Sequence, residues 1–207
     1  MRILHHDRHL VVVDKPAGLL SVPGIGPEKA DCLVARLQAT APGARIVHRL
    51  DFDTSGVIVL ALDADTHREL SRQFQDREVR KRYVAVVAGH VAGDSGEIDL
   101  PLRKEAMGSA RQMVHPTEGK PSVTRWRVLE RLENPPRTRL SLEPLTGRSH
   151  QLRVHCLAIG HPILGDPLYA PPEWRDAAPR LMLHAEMLEF THPATGERTR
   201  LEAPAGF

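Results

Sequence analysis

The unbroken apolar run Val57-Ile58-Val59-Leu60-Ala61-Leu62 does most to restrict what this chain can fold into: it reads as a buried strand, and a buried strand needs a sheet around it. It follows directly on the polar stretch His48-Arg49-Leu50-Asp51-Phe52-Asp53-Thr54-Ser55-Gly56, and Ile46 and Val47 supply strand-like residues on the far side. An acid beside an arginine, set between stiff apolar segments and followed by a sharp turn, is how a scaffold displays a catalytic carboxylate. The same residues also suit a plain hairpin in which Asp51 and Asp53 make turn bonds to nearby backbone. Residue type leaves both readings open.

The rest of the chain alternates short strands with a few helices. Leu10-Val11-Val12-Val13 is a β-branched run ended by Lys15-Pro16, and Ala17-Gly18 allows a turn into a Pro/Gly-rich loop through Gly26. Asp31 is placed to cap a helix carrying Leu33, Val34 and Leu37, which ends before Ala41-Pro42-Gly43. Asp65 is placed to cap a second helix with Leu70 and Phe74 at i and i+4. Residues 82–89 are extended in pattern, and 123–132 and 138–142 alternate apolar with charged residues across a polar turn containing two prolines. Ser149 is placed to cap a third helix with Leu152, Cys156 and Ile159 on one face, closed by Gly160 and Pro162. Strands over 181–190 and 199–201 end the chain. Runs of strands with interspersed helices, without regular βαβ alternation, predict an α+β domain on a mostly antiparallel sheet.

With 207 residues and no repeat, low-complexity tract or Gly/Ser linker, the chain is expected to form one domain. Lys and Arg number 28 against 26 acids, so net charge neither requires nor excludes a nucleic acid partner. Positive faces are still available where Arg77, Arg80, Lys81 and Arg82 cluster, and where Arg103, Lys104 and Arg111 do. The two cysteines, Cys32 and Cys156, lie far apart without a C-x-x-C pair, which suggests neither a disulfide framework nor a zinc knuckle and suits a reducing compartment. No stretch reaches the length of a membrane helix, and the charged residues His5, His6, Asp7 and Arg8 argue against a secretion signal. His150, His155, Cys156 and His161 lack metal-ligand spacing and an acidic partner, so no metal site is expected.

The run His48-Arg49-Leu50-Asp51-x-x-Thr54-Ser55-Gly56 resembles the signature of the RluA family of RNA pseudouridine synthases. Asp14-Lys15-Pro16-Ala17-Gly18-Leu19 resembles the family's entry segment, Lys81-Arg82-Tyr83 its basic-tyrosine strand, and Thr146-Gly147-Arg148-Ser149-His150-Gln151-Leu152-Arg153-Val154-His155 its third motif. Gly160-His161-Pro162-Ile163-Leu164-Gly165-Asp166 and Leu183-His184-Ala185-Glu186-Met187-Leu188 extend the likeness, in the family's order, over most of the chain. The resemblance implies one catalytic domain over residues 1–207, without an amino-terminal S4 domain, built on a mixed, mostly antiparallel sheet with flanking helices and a central active-site cleft. It implies isomerisation of uridine in structured RNA, in tRNA, in 23S rRNA or in both, with no cofactor, by a monomer in the cytoplasm.

Site residues follow from the same resemblance. Asp51 is the expected catalytic carboxylate, either attacking carbon or taking a proton from the sugar. Tyr83 is expected beside the uracil ring, and Arg153 is expected to keep the carboxylate ionised in a water-poor pocket, since desolvation alone would protonate it. Arg49 resembles the arginine that enters the RNA where the uridine was. His48 supports that loop, and Arg148 stands before a helix N-terminus that suits phosphate. Thr54, Ser55 and Gly56 shape the turn, Gly56 by adopting a conformation other residues resist. The basic segment from Arg103 to Lys120 is expected to choose the substrate and to become ordered on RNA. Two rivals remain at this point: a carboxylate-dependent hydrolase pairing Asp51 with Asp53 or His48, and a non-catalytic RNA-binding or chaperone module.

Overall fold

β-Branched and aliphatic runs become strands throughout the computed structural model, which describes residues Met1–Phe207. In chain order the elements are β1 (Arg2–His6), β2 (Leu10–Lys15), α1 (Leu33–Gln38), β3 (Arg45–Ile46), β4 (Ser55–Ala61), α2 (Ala64–Gln75), β5 (Arg80–Ala88), β6 (Ser95–Asp99), β7 (Leu102–Lys104), β8 (Gln112–Val114), β9 (Val123–Leu132), β10 (Arg137–Pro144), α3 (Gln151–Ala158), α4 (Pro172–Arg175), β11 (Leu183–Thr191) and β12 (Arg198–Glu202). Strands outnumber helices and the pairing is mainly antiparallel, as an α+β fold requires. The chain packs into two compact units, Met1–Lys81 with His184–Gly206, and Arg82–Leu183 with Phe207.

In the first unit every residue of β4 is buried, and strands pair along both of its edges. β2 runs antiparallel to it from Leu10↔Ala61 to Lys15↔Gly56, β3 adds Ile46↔Leu60, and β11 joins in parallel at His184↔Ser55 and Ala185↔Gly56. Leu10, Val12, Val57 and Val59 pack with Leu70 of α2 and Leu188 and Phe190 of β11. Burial of each large aliphatic side chain contributes about 1.5–3 kcal/mol. Gln73 of α2 locks the helix to β11, donating to the Thr191 carbonyl at 2.8 Å and accepting from its N–H at 2.9 Å.

None of the three expected N-caps, Asp31, Asp65 and Ser149, holds the cap position. The N-cap of α2 is Asp63, not Asp65: its backbone is extended, so its carboxylate accepts from the Thr66 N–H at 2.8 Å, while Asp65 lies inside the helix and pairs with Arg68. Cys32, not Asp31, precedes α1 and makes no side-chain cap bond. Asp31 instead takes a two-bond contact from Arg36 at 2.7 and 2.6 Å. β1 is an edge strand that its histidine-rich sequence conceals.

In the second unit β5, β10, β9 and β6 form an antiparallel ladder in that order, with Leu142 opposite both Tyr83 and Trp126. Leu152 and Cys156 of α3 pack on Ala85, Val87, Leu140 and Leu142. Ser149 does not cap this helix. His150 holds the N-cap position in the left-handed region (φ 53°), which turns the chain too sharply for an ordinary hydroxyl cap. Gln151 takes over, its Oε1 accepting from the Arg148 N–H at 3.1 Å and from the Thr146 hydroxyl at 2.7 Å. The segment from Arg103 to Lys120 contains a short hairpin. β7 and β8 pair as a hairpin from Leu102↔Val114 to Lys104↔Gln112, and the Tyr169 hydroxyl accepts from the Gln112 N–H at 2.8 Å.

Candidate active site

The loop from β3 to β4 is fastened at alternate residues. His48 Nε2 accepts from the Val59 N–H at 3.2 Å, and its ring stacks on Phe74 at 4.4 Å between centroids. Ser21 grips Leu50 twice, donating to its carbonyl at 2.8 Å and accepting from its N–H at 3.2 Å. The Phe52 carbonyl accepts from the Gly18 N–H at 2.9 Å and from Lys15 Nζ at 3.3 Å. A bond from the Thr54 N–H to the Asp51 carbonyl, 3.2 Å, closes a tight turn with Phe52 and Asp53 at its centre. Between these anchors Arg49 is exposed and Asp51 half-buried. Because residues 51–54 turn, Asp51 and Asp53 are not the same-face strand pair that a two-carboxylate hydrolase would want.

Under the turn lies Lys15, a completely buried lysine at the end of β2. Its three protons meet the carbonyls of Leu19 at 2.8 Å, Pro16 at 3.0 Å and Phe52 at 3.3 Å, so the ammonium is fully hydrogen-bonded. Burial pulls its pKa down to about 8, against the opposing pull of the Asp51 and Asp53 charges. A buried cation with two acids in its field thus underlies the turn, a role the sequence reading left unassigned although Lys15 stands in the quoted entry segment. Burial, then the charge of Lys81, drives His48 down to about 3, which keeps its ring neutral and fit to accept the Val59 N–H. His48 is thereby committed to holding the loop together.

Past the turn, Gly56 has φ 118°, and a Cβ there would sit 2.2 Å from the Ala185 carbonyl oxygen, so only glycine fits where β4 meets β11. Ser55 bonds to His184 Nδ1 at 2.8 Å, and His184 Nε2 donates to the Ala203 carbonyl, also at 2.8 Å. Thr54 is buried beside them.

In the second unit Arg153 is one of the most buried side chains, at 2% exposure, and Asp166 at 1% is its counter-ion. Nε donates to Asp166 Oδ2 at 2.7 Å and Nη2 to Oδ1 at 2.5 Å. The N–H groups of Leu168 and Tyr169 also donate to Asp166 Oδ1, at 2.9 and 3.2 Å, and the guanidinium carbon lies 5.0 Å from the centroid of the Tyr169 ring. Such a pair offsets the desolvation of both charges only with geometry of this quality. Asp166 and Tyr169 are site-supporting residues the sequence reading missed; the signal available was Asp166 at the end of the quoted Gly160-to-Asp166 run. Tyr83 is partly buried against the same core as α3. Arg148 directs Nε to the Pro121 carbonyl at 3.4 Å.

The three histidines not expected to bind a metal are hydrogen-bonded within the fold. His155 contacts Thr124 Oγ1 at 2.9 Å and the Leu100 carbonyl at 3.0 Å, His161 the Ala88 carbonyl at 2.7 Å, and His150 the Tyr169 hydroxyl at 2.7 Å. Burial, helped by Asp166, pushes the Cys156 thiol up to about 12, which makes it inert.

Comparison with known proteins shows the family. Residues 9–158 match the family model described as RNA pseudouridylate synthase. The dual-specificity RNA pseudouridine synthase RluA of Escherichia coli (strain K12) is 53% identical over 205 residues, 99% of this chain and 93% of that protein. The protein of the same name from Yersinia pestis is 50% identical over 207 residues, the full length of both. Among solved structures, human RNA pseudouridylate synthase domain containing 1 aligns with a TM-score of 0.82 at 34% identity, covering 98% of this chain and 82% of that one.

Proposed function

The chain belongs to the RNA pseudouridylate synthase family and is an RNA pseudouridine synthase, and on that premise we propose that it acts on uridines in stem-loops of tRNA and 23S rRNA, with Asp51 as the catalytic carboxylate. The reaction breaks the N1–C1′ bond, turns the uracil and rejoins it through C5; the proton that leaves C5 is balanced by the one N1 acquires. No atom enters or leaves, so a carboxylate and a pocket that retains the free base suffice. The hydrolase and the non-catalytic module give way to this reading.

The observation that carries the assignment of Asp51 is the fastened turn: a half-buried carboxylate on a backbone fixed by Ser21, Gly18 and Lys15 loses little entropy on engaging a sugar. Arg153, buried and fully bonded, is assigned the cation of the reaction, and Tyr83 the aromatic wall beside the base. Arg49, exposed in the same loop as Asp51, is assigned to fill the stack that the uridine leaves, and Arg148 to the RNA backbone. Residues 1–207 are assigned to one catalytic domain that works as a monomer in the cytoplasm; both cysteines are free, and no helix is long and apolar enough to cross a membrane.

The test is release of tritium from transcripts labelled at uridine C5, in EDTA, using tRNA and 23S rRNA stem-loops. Stoichiometric release is expected, with Asp51→Asn abolishing it and leaving RNA binding within about tenfold. Turnover surviving in Asp51→Asn would sink the assignment of the carboxylate; release from neither RNA would sink the substrate class.

A further inference from the structure

Phe52 is one of four phenylalanines, and it is 49% exposed at the centre of the turn that begins with Asp51. Single exposed apolar residues are common and need no explanation by themselves. Here the exposure is combined with rigidity. The carbonyl of Phe52 takes two hydrogen bonds, one from the Gly18 N–H and one from the buried Lys15, and the turn is closed behind it by the Thr54 N–H. Two donors therefore hold still the backbone of a residue that is half exposed. Neighbouring Cα atoms are about 3.8 Å apart, so the ring stands within one nucleotide of whatever Asp51 touches. An aromatic ring offers a stacking face to a base and no donor to a phosphate.

Extruding a uridine from its stack strips the adjacent bases of a partner. A fixed aromatic face beside the catalytic carboxylate replaces that partner. We propose that Phe52 is the stacking platform for the base next to the target uridine, and so a residue that selects the loop context of the substrate. The inference rests on the pseudouridine synthase reading, and it assigns Phe52 no part in the bond exchange.

Stacking of a base on an aromatic side chain predicts about a tenfold rise in KM for Phe52→Ala, with kcat within about threefold of the parent. Phe52→Trp should restore KM, whereas Phe52→Leu, apolar but without a π-face, should not. A substrate carrying an abasic site beside the target uridine should lose about tenfold with the parent protein and little more with Phe52→Ala, since the two changes remove one interaction. In parallel, 2-aminopurine placed at that position should be quenched on binding to the parent and less so by Phe52→Ala, a readout independent of turnover. Equal kinetics for Phe52→Ala and the parent, full rescue by leucine, or additive penalties with the abasic substrate would each overturn the inference. A parent that releases no tritium but shows Phe52-dependent quenching would overturn the enzymatic reading and leave the stacking platform standing.

Discussion

The loop that carries Asp51 and the helix that carries Arg153 both hold a charged side chain still, the first through backbone groups and the second through side chains. Around Asp51 the fixed atoms are the N–H and carbonyl of Leu50 and the carbonyl of Phe52, gripped by Ser21, Gly18 and Lys15. The carboxylate itself is half-buried. Around Arg153 the grip is on the guanidinium, by Asp166. Exchanging a side chain held through its backbone costs the fold less than exchanging one held through its charge, whose partner is left buried and unpaired.

The largest expected effect on stability tests the second half of that contrast. Asp166→Asn removes the counter-ion of a guanidinium at 2% exposure and should cost about 3–5 kcal/mol, read from the denaturant midpoint. Asp51→Asn in the same assay should change stability by less than about 1 kcal/mol. Similar losses in both would erase the distinction.

Next in size is the buried lysine. Up to about pH 8 folded and unfolded chains both carry Lys15 protonated, so the cost of burying the ammonium is present in full. Between about 8 and the ordinary lysine value of 10.5 the folded chain releases its proton first, so stability rises with pH, by about 3 kcal/mol over the whole interval. Lys81 shifts in the same direction, through burial first and Arg77 second, but it is present in any Lys15 variant and cancels in a difference. The stability of the parent minus that of Lys15→Met should therefore climb from pH 8 to 10. A flat difference would mean that Asp51 and Asp53 keep the ammonium charged, placing the Asp51 loop in the same class as Arg153, held by charge.

The smallest effect refines the comparison. Gln151 in the second unit works as Ser21 does in the first, a side chain satisfying backbone, with bonds to the Arg148 N–H and the Val123 carbonyl. Gln151→Ala should cost about 1–3 kcal/mol by orphaning those groups, well short of Asp166→Asn. A loss equal to that of Asp166→Asn would show that anchoring of the helix start, not the ion pair, holds Arg153.

Much of this was legible in the chain as written. The apolar run after Gly56, the alternation in 123–132 and 138–142, and the glycine that must tolerate φ 118° are local properties, set by side-chain period and by the absence of a Cβ, and they appear where the residues predict them. The motif around Asp51 and its order relative to Tyr83 and Arg153 were enough to name the reaction. Caps were misread by a residue or two, because Asp63 and Asp65, or Ser149 and His150, differ only in which one the incoming chain leaves outside the helix. Long-range partnerships were beyond the sequence altogether. That Lys15 is buried under residue 52, 37 positions away, and that Arg153 closes on Asp166, 13 positions on, depends on which segments the packed sheet and helix bring within hydrogen-bond reach. A charged residue carries no mark of its own burial; only the fold decides whether water or a named partner surrounds it.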